Sequence, residues 1–417
     1  MGRLVMKFGG TSVATVERIN NVARHVEREV KAGNHVAVVV SAMAGTTNQL
    51  AEWCKQISPM HDAREYDAVV GTGEQITAGL LAIALQEIGI PARSWAGWQI
   101  PIQTDGVHGA ARMTEINGAE ILKRMEQGQV AVITGFQGIG PDKRVTTLGR
   151  GGSDTSAVAV AAALNASCDI YTDVDGIYTT DPRIVTGAQK LDRISYEEML
   201  EQASLGAKVL QTRSVELAMV YKVPLQVRSS FEAPDSPNQN KPDGTGPGTI
   251  VCQEDQAMEQ HVVSGVAYSR DEAKISLRKV KDKPGVSAAI FGPLAEHDIS
   301  VDMIVQNVSP DGASTDLTFT LPRKDLQKAI EVLNKIKDTI GFAEVTHSAD
   351  VAKVSIVGIG MRSHAGVAAK MFKSLADKGI NIQAITTSEI KVSVLIDEAY
   401  TELAVRALHT AYGLDKV

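Results

Sequence analysis

The chain has 417 residues, of which 44% are hydrophobic and 22% charged, enough apolar material for two or three packed domains. Its formal net charge of −7 argues against a general nucleic-acid or anionic-membrane binder. Three cysteines, Cys54, Cys168 and Cys252, have no metal-ligand spacing and read as reduced thiols. With no signal-peptide apolar region at the N-terminus and no apolar run approaching a membrane span, the expected compartment is the cytoplasm.

Leu4-Val5-Met6 is a short apolar strand leading into Lys7-Phe8-Gly9-Gly10-Thr11-Ser12-Val13. A strand, a lysine, two glycines and a hydroxyl before a helix make a phosphate cradle with Lys7 as its point charge. It is not a Walker A loop, which needs a glycine-lysine-serine/threonine run. The next helix carries Ile19, Val22, Ala23, Val26 and Val30 on one stripe and ends near Gly33. Residues 36–40 are apolar throughout, as in a strand buried on both faces of a parallel sheet, and end in the small polar loop 41–48. Ligands in open α/β sheets bind at that edge. Gly71-Thr72-Gly73-Glu74-Gln75 opens a further helix, with Ile76, Leu80, Leu81, Ala84, Leu85 and Ile88 as its apolar positions. A carboxylate in a first helical turn suits the dipole whether or not it binds a ligand. Trp95 and Trp98 read as packing residues.

The stretch 146–156 lies between the apolar run 130–136 and an alanine-rich helical run, 157–165. Gly149, Gly151 and Gly152 permit close backbone approach, Ser153 or Asp154 is the expected helix cap, and Arg150 and Asp154 flank the glycines with charge. Residues 169–176 form a strand and an acidic turn that continues to Arg183 without calcium-loop spacing. A glycine turn recurs at Gly206-Ala207-Lys208-Val209, and 223–227 reads as a last strand. The composition then shifts over 231–248 to a polar, proline-rich linker. Beyond it lies an internal repeat: Ala273-Lys274-Ile275-Ser276-Leu277 matches Ala352-Lys353-Val354-Ser355-Ile356, and Gly285-Val286 matches Gly366-Val367. Each copy reads strand, glycine loop, helix, strand, strand, helix, the split βαββαβ order.

The Lys7 run, read with 149–154, resembles the aspartate kinase branch of the amino acid kinase family, and the resemblance covers essentially the whole chain. Relatives acting on glutamate, acetylglutamate, carbamate or UMP share the lysine-glycine arrangement but not Lys-Phe-Gly-Gly-Thr-Ser. It implies a three-layer α/β kinase domain with a mainly parallel sheet at 1–230. A linker at 231–248 would follow, then two α+β, ferredoxin-like ACT domains at 249–345 and 346–417. A strand within 249–265 is expected to be shared with the second ACT copy. By the same resemblance Lys7, Gly9, Gly10 and Ser41 meet nucleotide phosphate, and Thr172, Asp173, Tyr178, Asp181, Arg183 and Lys208 lie nearest ATP. Thr47, Glu74, Arg150 and Ser153 would meet the amino-acid substrate, Glu74 through its α-ammonium. Effector residues are implied at Asp282, Pro284, Gly285, Val286, Asp302, Gln306 and Asn307. In the second copy they are implied at His364, Ala365, Gly366, Val367, Asn381 and Ile382, although Ser363 and Ala365 stand where the first copy has Asp282 and Pro284.

The implied reaction moves the γ-phosphoryl of MgATP to the side-chain carboxylate of L-aspartate, giving 4-phospho-L-aspartate and ADP under inhibition by lysine, threonine or both. A carboxylate with a reference pKa near ~4 is already ionised, so the chemistry calls for cations and oriented N–H donors rather than a general base. Lys7, Arg150 and Asp154 are the expected catalytic groups, with Mg²⁺ on phosphate oxygens and water and no dedicated metal cage. Three rivals stay open: an amino acid kinase with another acceptor, a nucleotide-dependent oxidoreductase suggested by the glycines at 135–140, and a non-catalytic amino-acid sensor. The first would show in an acceptor assay, the second lacks G-x-G-x-x-G order, and intact Lys7, Arg150 and Asp154 count against the third. A downstream homoserine dehydrogenase domain is not expected, since the chain stops soon after the second repeat. The expected assembly is a homodimer through the ACT domains, or a heterotetramer with a regulatory subunit begun internally near Met258.

Overall fold

The strand Arg3–Phe8 is buried along almost its whole length because it has a parallel neighbour on each side, with Lys7 in register with Val39 and with Ile170. The computed structural model that shows this describes residues 2–100, 102–206, 209–234, 247–254, 262–308 and 314–416. It divides into two compact units, Met1–Ile177 with Lys190–Ala203 and Lys208–Asp255, and Tyr178–Gln189 with Ser204–Ala207 and Gln256–Val417.

The first unit is built on an eight-stranded sheet in the order Arg193–Ser195, Thr249–Cys252, Leu225–Ser229, Ser167–Thr172, Arg3–Phe8, His35–Val40, Val130–Thr134, Ala92–Trp95. Only the junction between Leu225–Ser229 and Thr249–Cys252 is antiparallel. Apolar residues cover both faces. Leu4, Met6 and Phe8 pack with Ile19 and Val22 of helix Val16–Lys31 and with Leu81 and Leu85 of helix Thr72–Glu87. Val5 packs on the opposite face with Ala157, Val158 and Ala161 of helix Gly152–Leu164. Side chains alternate along a strand, so Lys7 falls on the same face as Val5, beside the helix whose first turn carries Asp154.

A second, four-stranded sheet in this unit runs Met113–Ile116, Ile102–Thr104, Gln137–Ile139, Val145–Thr147. Its strands of three or four residues have no apolar run, and the sequence pattern did not reveal them. Helices Ala63–Val70 and Thr72–Glu87 follow one another through Gly71. Together they make a 25-residue stretch, Ala63–Glu87, apolar and long enough to cross a membrane by length and composition. That corrects the expectation that no apolar run approaches this length. Half of its apolar window is buried within the protein, and Glu74 lies inside it, which marks a core helix. Trp95 packs in the core as expected, but Trp98 is 43% exposed and is not a packing residue.

The second unit holds both repeats in one six-stranded antiparallel sheet: Asp302–Val308, Ser314–Leu321, Gly265–Lys281, Glu344–Val357, Lys391–Asp397, Ala384–Thr387. Gly265–Lys281 is long enough to pair at its start with the second copy, Gly265 opposite Val357, and at its end with residues entering that copy, Leu277 opposite Val345. Each copy thus completes its sheet with a strand continuous with the other. Interleaving is carried by 265–269, while Thr249–Cys252, the other part of the segment expected to be shared, joins the first unit's sheet instead. Helices Val286–Glu296 and Leu326–Ile340 cover the first copy, and Val367–Ala376 and Thr401–Ala411 the second, each over its own core. Of the linker expected at 231–248, residues 235–246 lie outside the described residues, as does Met258.

Gly138 shows how tightly the small sheet is built. A side chain there would press into Thr104 Cγ2 and lie 2.9 Å from the Ile102 carbonyl. Gly138→Ala is therefore expected to cost about 1–3 kcal/mol by overpacking, read as a lower denaturation midpoint at unchanged m-value. An unshifted midpoint would show that the sheet yields.

Candidate active site

Lys7 Nζ lies 2.5 Å from Asp154 Oδ1, and each side chain is only 11% exposed. Burying an ammonium alone is costly, and the carboxylate compensates its charge. Asp154 sits in the first turn of helix Gly152–Leu164, whose N-cap is Gly151 at φ 73°, with no side-chain cap. This corrects the expectation that Ser153 or Asp154 caps the helix: both are inside its first turn. The left-handed backbone at Gly151 takes the cap position, so the hydroxyl and carboxylate face elsewhere. A Cβ at Gly151 would run into the side chain of Gln211, so glycine is required there on steric grounds as well.

Two more loops close on this pair. A Cβ on Gly10 would lie 3.0 Å from the Ala42 carbonyl, so the Lys7 loop and the 41–48 loop are in near contact. Gly45 at φ 85° starts helix Thr46–Ile57, placing Thr47 and Asn48 in its first turn. Glu74, in the first turn of helix Thr72–Glu87, accepts a hydrogen bond from Ala42 N–H through Oε1 at 3.1 Å. Its Oε2 is buried without a partner among the described residues, and the side chain is 3% exposed. Burial pushes the Glu74 carboxyl up to about 7, only partly offset by the Ala42 N–H bond. Arg150 is exposed, and its guanidinium meets no acceptor among the described residues.

These groups line one cavity of about 420 Å³: Lys7, Gly10, Ser41, Thr47, Glu74, Arg150, Ser153 and Asp154 all contribute. Gly9 stands beside it, 3.4 Å from Lys7 Nζ at its Cβ position. Asn48, Phe136 and Gln211 line it too and were missed. Asn48 adjoins Thr47 and was within reach of sequence reasoning. Phe136 is a non-glycine residue at φ 67°, a conformation that no local pattern announces. Gln211 reaches the cavity from the start of helix Thr212–Tyr221. A buried ammonium, an uncommitted guanidinium, a carboxylate with one bare oxygen and a helix N-terminus suit a ligand bearing both anionic groups and an amine.

The other expected nucleotide residues fall elsewhere. Thr172 ends strand Ser167–Thr172 in the first unit and Asp173 follows it, neither lining this cavity, and Thr172 Oγ1 donates to Asp173 at 3.2 Å. Tyr178, Asp181 and Arg183 belong to the second compact unit. There Arg183 holds the Asp181 carboxyl below the ordinary carboxylate range, and Tyr268 OH donates to it at 3.2 Å. Lys208 lies outside the described residues.

Of the expected effector residues, Asp282, Pro284 and Gly285 form an exposed loop, with Gly285 at φ 90° as N-cap of helix Val286–Glu296 and Val286 buried at its start. Gln306 and Asn307 are exposed on the edge strand Asp302–Val308, and Gln306 Oε1 accepts from Ser287 at 3.4 Å. Asp302 is engaged by Lys353 at 2.7 Å, and Lys353 also meets Glu272 at 2.9 Å. In the second copy His364, Ala365, Gly366 and Val367 line a separate cavity of about 490 Å³; Asn381 and Ile382 do not.

The model of the amino acid kinase family matches residues 2–229, and models of the ACT domain match 275–338 and 354–412. The chain is 54% identical over 417 residues to an aspartate kinase of Stutzerimonas stutzeri, covering 100% of this chain and 98% of that one. Among solved structures it is similar to E. coli aspartokinase III in complex with aspartate and ADP (R-state), at 28% identity and a TM-score of 0.79, covering 98% of this chain and 99% of that one. The same enzyme in complex with lysine and aspartate (T-state) matches at 27% identity and a TM-score of 0.74, covering 98% of each chain. The chain therefore belongs to the amino acid kinase family, in the aspartate kinase branch that carries paired ACT domains.

Proposed function

We propose that the protein transfers the γ-phosphoryl group of ATP to the β-carboxylate of L-aspartate, forming 4-phospho-L-aspartate and ADP. The observation that carries this reading is the single cavity in which Lys7, Asp154, Arg150 and Glu74 meet. Lys7 neutralises the transferred phosphoryl group, Asp154 holds Lys7, and the Gly9-Gly10 and Gly151-Gly152 amides cradle phosphate oxygens. Arg150 forks onto the aspartate α-carboxylate while the bare Oε2 of Glu74 takes its α-ammonium, with Thr47 and Ser153 as hydroxyl partners. The acceptor carboxylate attacks phosphorus as the bond to the bridging oxygen of ADP breaks, and no proton need move. Ser41, with Thr172 and Asp173 at the end of the neighbouring strand, completes the nucleotide contacts within this unit.

Asp154 is committed to Lys7, so the residues fit Mg²⁺ carried in on the nucleotide rather than in a protein cage. When bound, that ion draws charge off the phosphate oxygens. The reading includes the cytoplasm as compartment and assembly through the ACT domains, as a homodimer or with a separate regulatory subunit.

Lys7→Ala should cut kcat at least ~100-fold, the scale of losing one electrostatic stabiliser, with folding checked by circular dichroism. Near-normal turnover in the folded variant would refute the assignment.

The Glu74 carboxyl near 7 gives a pH dependence with a definite sign. Below this value Glu74 is protonated in the free enzyme and must lose its proton to receive an ammonium. The kcat/KM for aspartate should therefore rise through an inflection near 7 as pH increases, an inflection absent from Glu74→Gln. An identical profile in that variant would assign the inflection to another group.

The E. coli enzyme is described with lysine bound, and we infer that the ACT pair here takes lysine, threonine or both at the Asp282–Gly285 loop facing Gln306 and Asn307. Inhibition requires the effector to prefer one state by ~1–3 kcal/mol. Asp282→Ala or Gln306→Ala should relieve inhibition and leave uninhibited kcat within ~2-fold, since surface changes away from the reaction alter little else. Unchanged inhibitor titrations in both would move the effector site elsewhere.

A further inference from the structure

Asp67 has no part in the chemistry proposed above, yet its carboxylate is fully buried and engaged on every side. It accepts from Thr147 Oγ1 at 2.5 Å and from Thr147 N–H at 3.1 Å. Gly109 N–H lies 3.1 Å from both of its oxygens, and His108 Nδ1 is 2.7 Å from Oδ2. All of these partners belong to two segments. One is the 105–111 loop, and the other is the strand Val145–Thr147 that leads into Arg150 three residues later. The segments are also joined to each other, by Ala111 N–H to the Thr147 carbonyl at 2.9 Å. On the far side Arg213 donates to the Leu148 carbonyl at 2.8 Å and to the Ala111 carbonyl at 3.2 Å.

Asp67 itself sits in helix Ala63–Val70, which continues through Gly71 into the helix bearing Glu74. Seven residues, or roughly two helical turns of about 10 Å, separate Asp67 from Glu74. The joint is held as well: Gln137, fully buried, donates its amide to the Gly71 carbonyl and accepts from Thr134 Oγ1 at 3.2 Å. Arg150, by contrast, bonds to no group among the described residues, so its place depends on the backbone that carries it.

We infer that Asp67 is a positioning residue that sets the spacing between Glu74 and Arg150, and thereby the fit of an α-amino acid's ammonium and carboxylate between them. The inference rests on the roles given to Glu74 and Arg150 in the proposed function. It leaves the Lys7–Asp154 pair untouched, because these two are held by the central strand and the helix Gly152–Leu164 rather than by Asp67.

The test is a split between the two Michaelis constants. Asp67→Asn keeps the shape but turns an amide group toward donors, so the spacing relaxes. A misplacement of about 1 Å can cost as much as ~100-fold, and the KM for aspartate should rise ~10-fold or more while that for ATP stays within ~2-fold. Thr147→Val keeps the Asp67 carboxylate but removes the hydroxyl that donates to it, and should give the same split more weakly, with Thr147→Ser restoring the wild-type values. Should Asp67→Asn fail to fold, the Thr147 pair decides the matter. Constants that rise together, or an aspartate KM unchanged in Thr147→Val, overturn the inference. Arg150→Lys and Glu74→Gln are run alongside. If neither raises the KM for aspartate, the substrate reading itself has failed; if both do and the Asp67 and Thr147 variants do not, only the positioning role is lost.

Discussion

Transfer of a phosphoryl group to a carboxylate brings two anions together, and the catalytic unit is arranged around that repulsion. The cavity holds a buried cation with a fixed partner, Lys7 against Asp154 at 2.5 Å, and the role proposed for it is to offset that repulsion. The pair is possible only because a parallel sheet covered on both faces places alternate side chains on opposite layers. Lys7 shares a face with Val5 and so with the helix bearing Asp154, while Met6 and Phe8 go to the other layer. A one-residue slip of this strand would send the lysine into the layer of Ile19 and Leu81.

Around the pair, each loop contributes charge at the end of an element rather than in its middle. Glu74 is in a first helical turn, Asp154 in another, and Lys7 is one residue from a strand end. Rigid elements thus aim the groups while the loops stay open enough to admit ligands. The second unit uses a different principle. Its six strands form one sheet in which long strands cross from copy to copy, so a shift in either copy strains hydrogen bonds in both. Lys353 of the second copy reaches Glu272 and Asp302, both in strands of the first, which adds a charged tie at the same seam.

Much of this was readable from the chain because the relevant signals are local. The continuous apolar run at 36–40, the glycine-framed charges at 149–154 and the repeat beyond 273 each follow from near neighbours in sequence. Eight of the residues singled out for the reaction do line one cavity. What escaped notice depends on distant partners. Asp67 in sequence is an ordinary helical carboxylate; only the fold brings Thr147 and Gly109 to it. Phe136 occupies a left-handed conformation that the surrounding turn imposes, and Gln211 comes from a helix some 60 residues on from Gly151 in sequence. Thr249–Cys252 follows the linker in sequence and so reads with the repeats, whereas pairing returns it to the first unit's sheet. The cap at Gly151 went to the glycine because a positive φ outweighed the usual preference for a hydroxyl or carboxylate.

The shared strand also decides where the regulatory half could be cut out of the chain. Residues 265–269 complete the second copy although they precede the first, so a fragment begun at residue 270 would hold an intact first copy and a second with a bare edge at Lys353–Val357. A fragment begun at Met258 keeps the whole strand Gly265–Lys281. It would still lack Tyr178–Gln189, which the second copy uses as cover: Thr179 meets Val266 N–H and His409, and Ile184 and Val185 pack on its core. Such a fragment must find a substitute for that cover, from another chain or from its own new N-terminus, before it can stand alone.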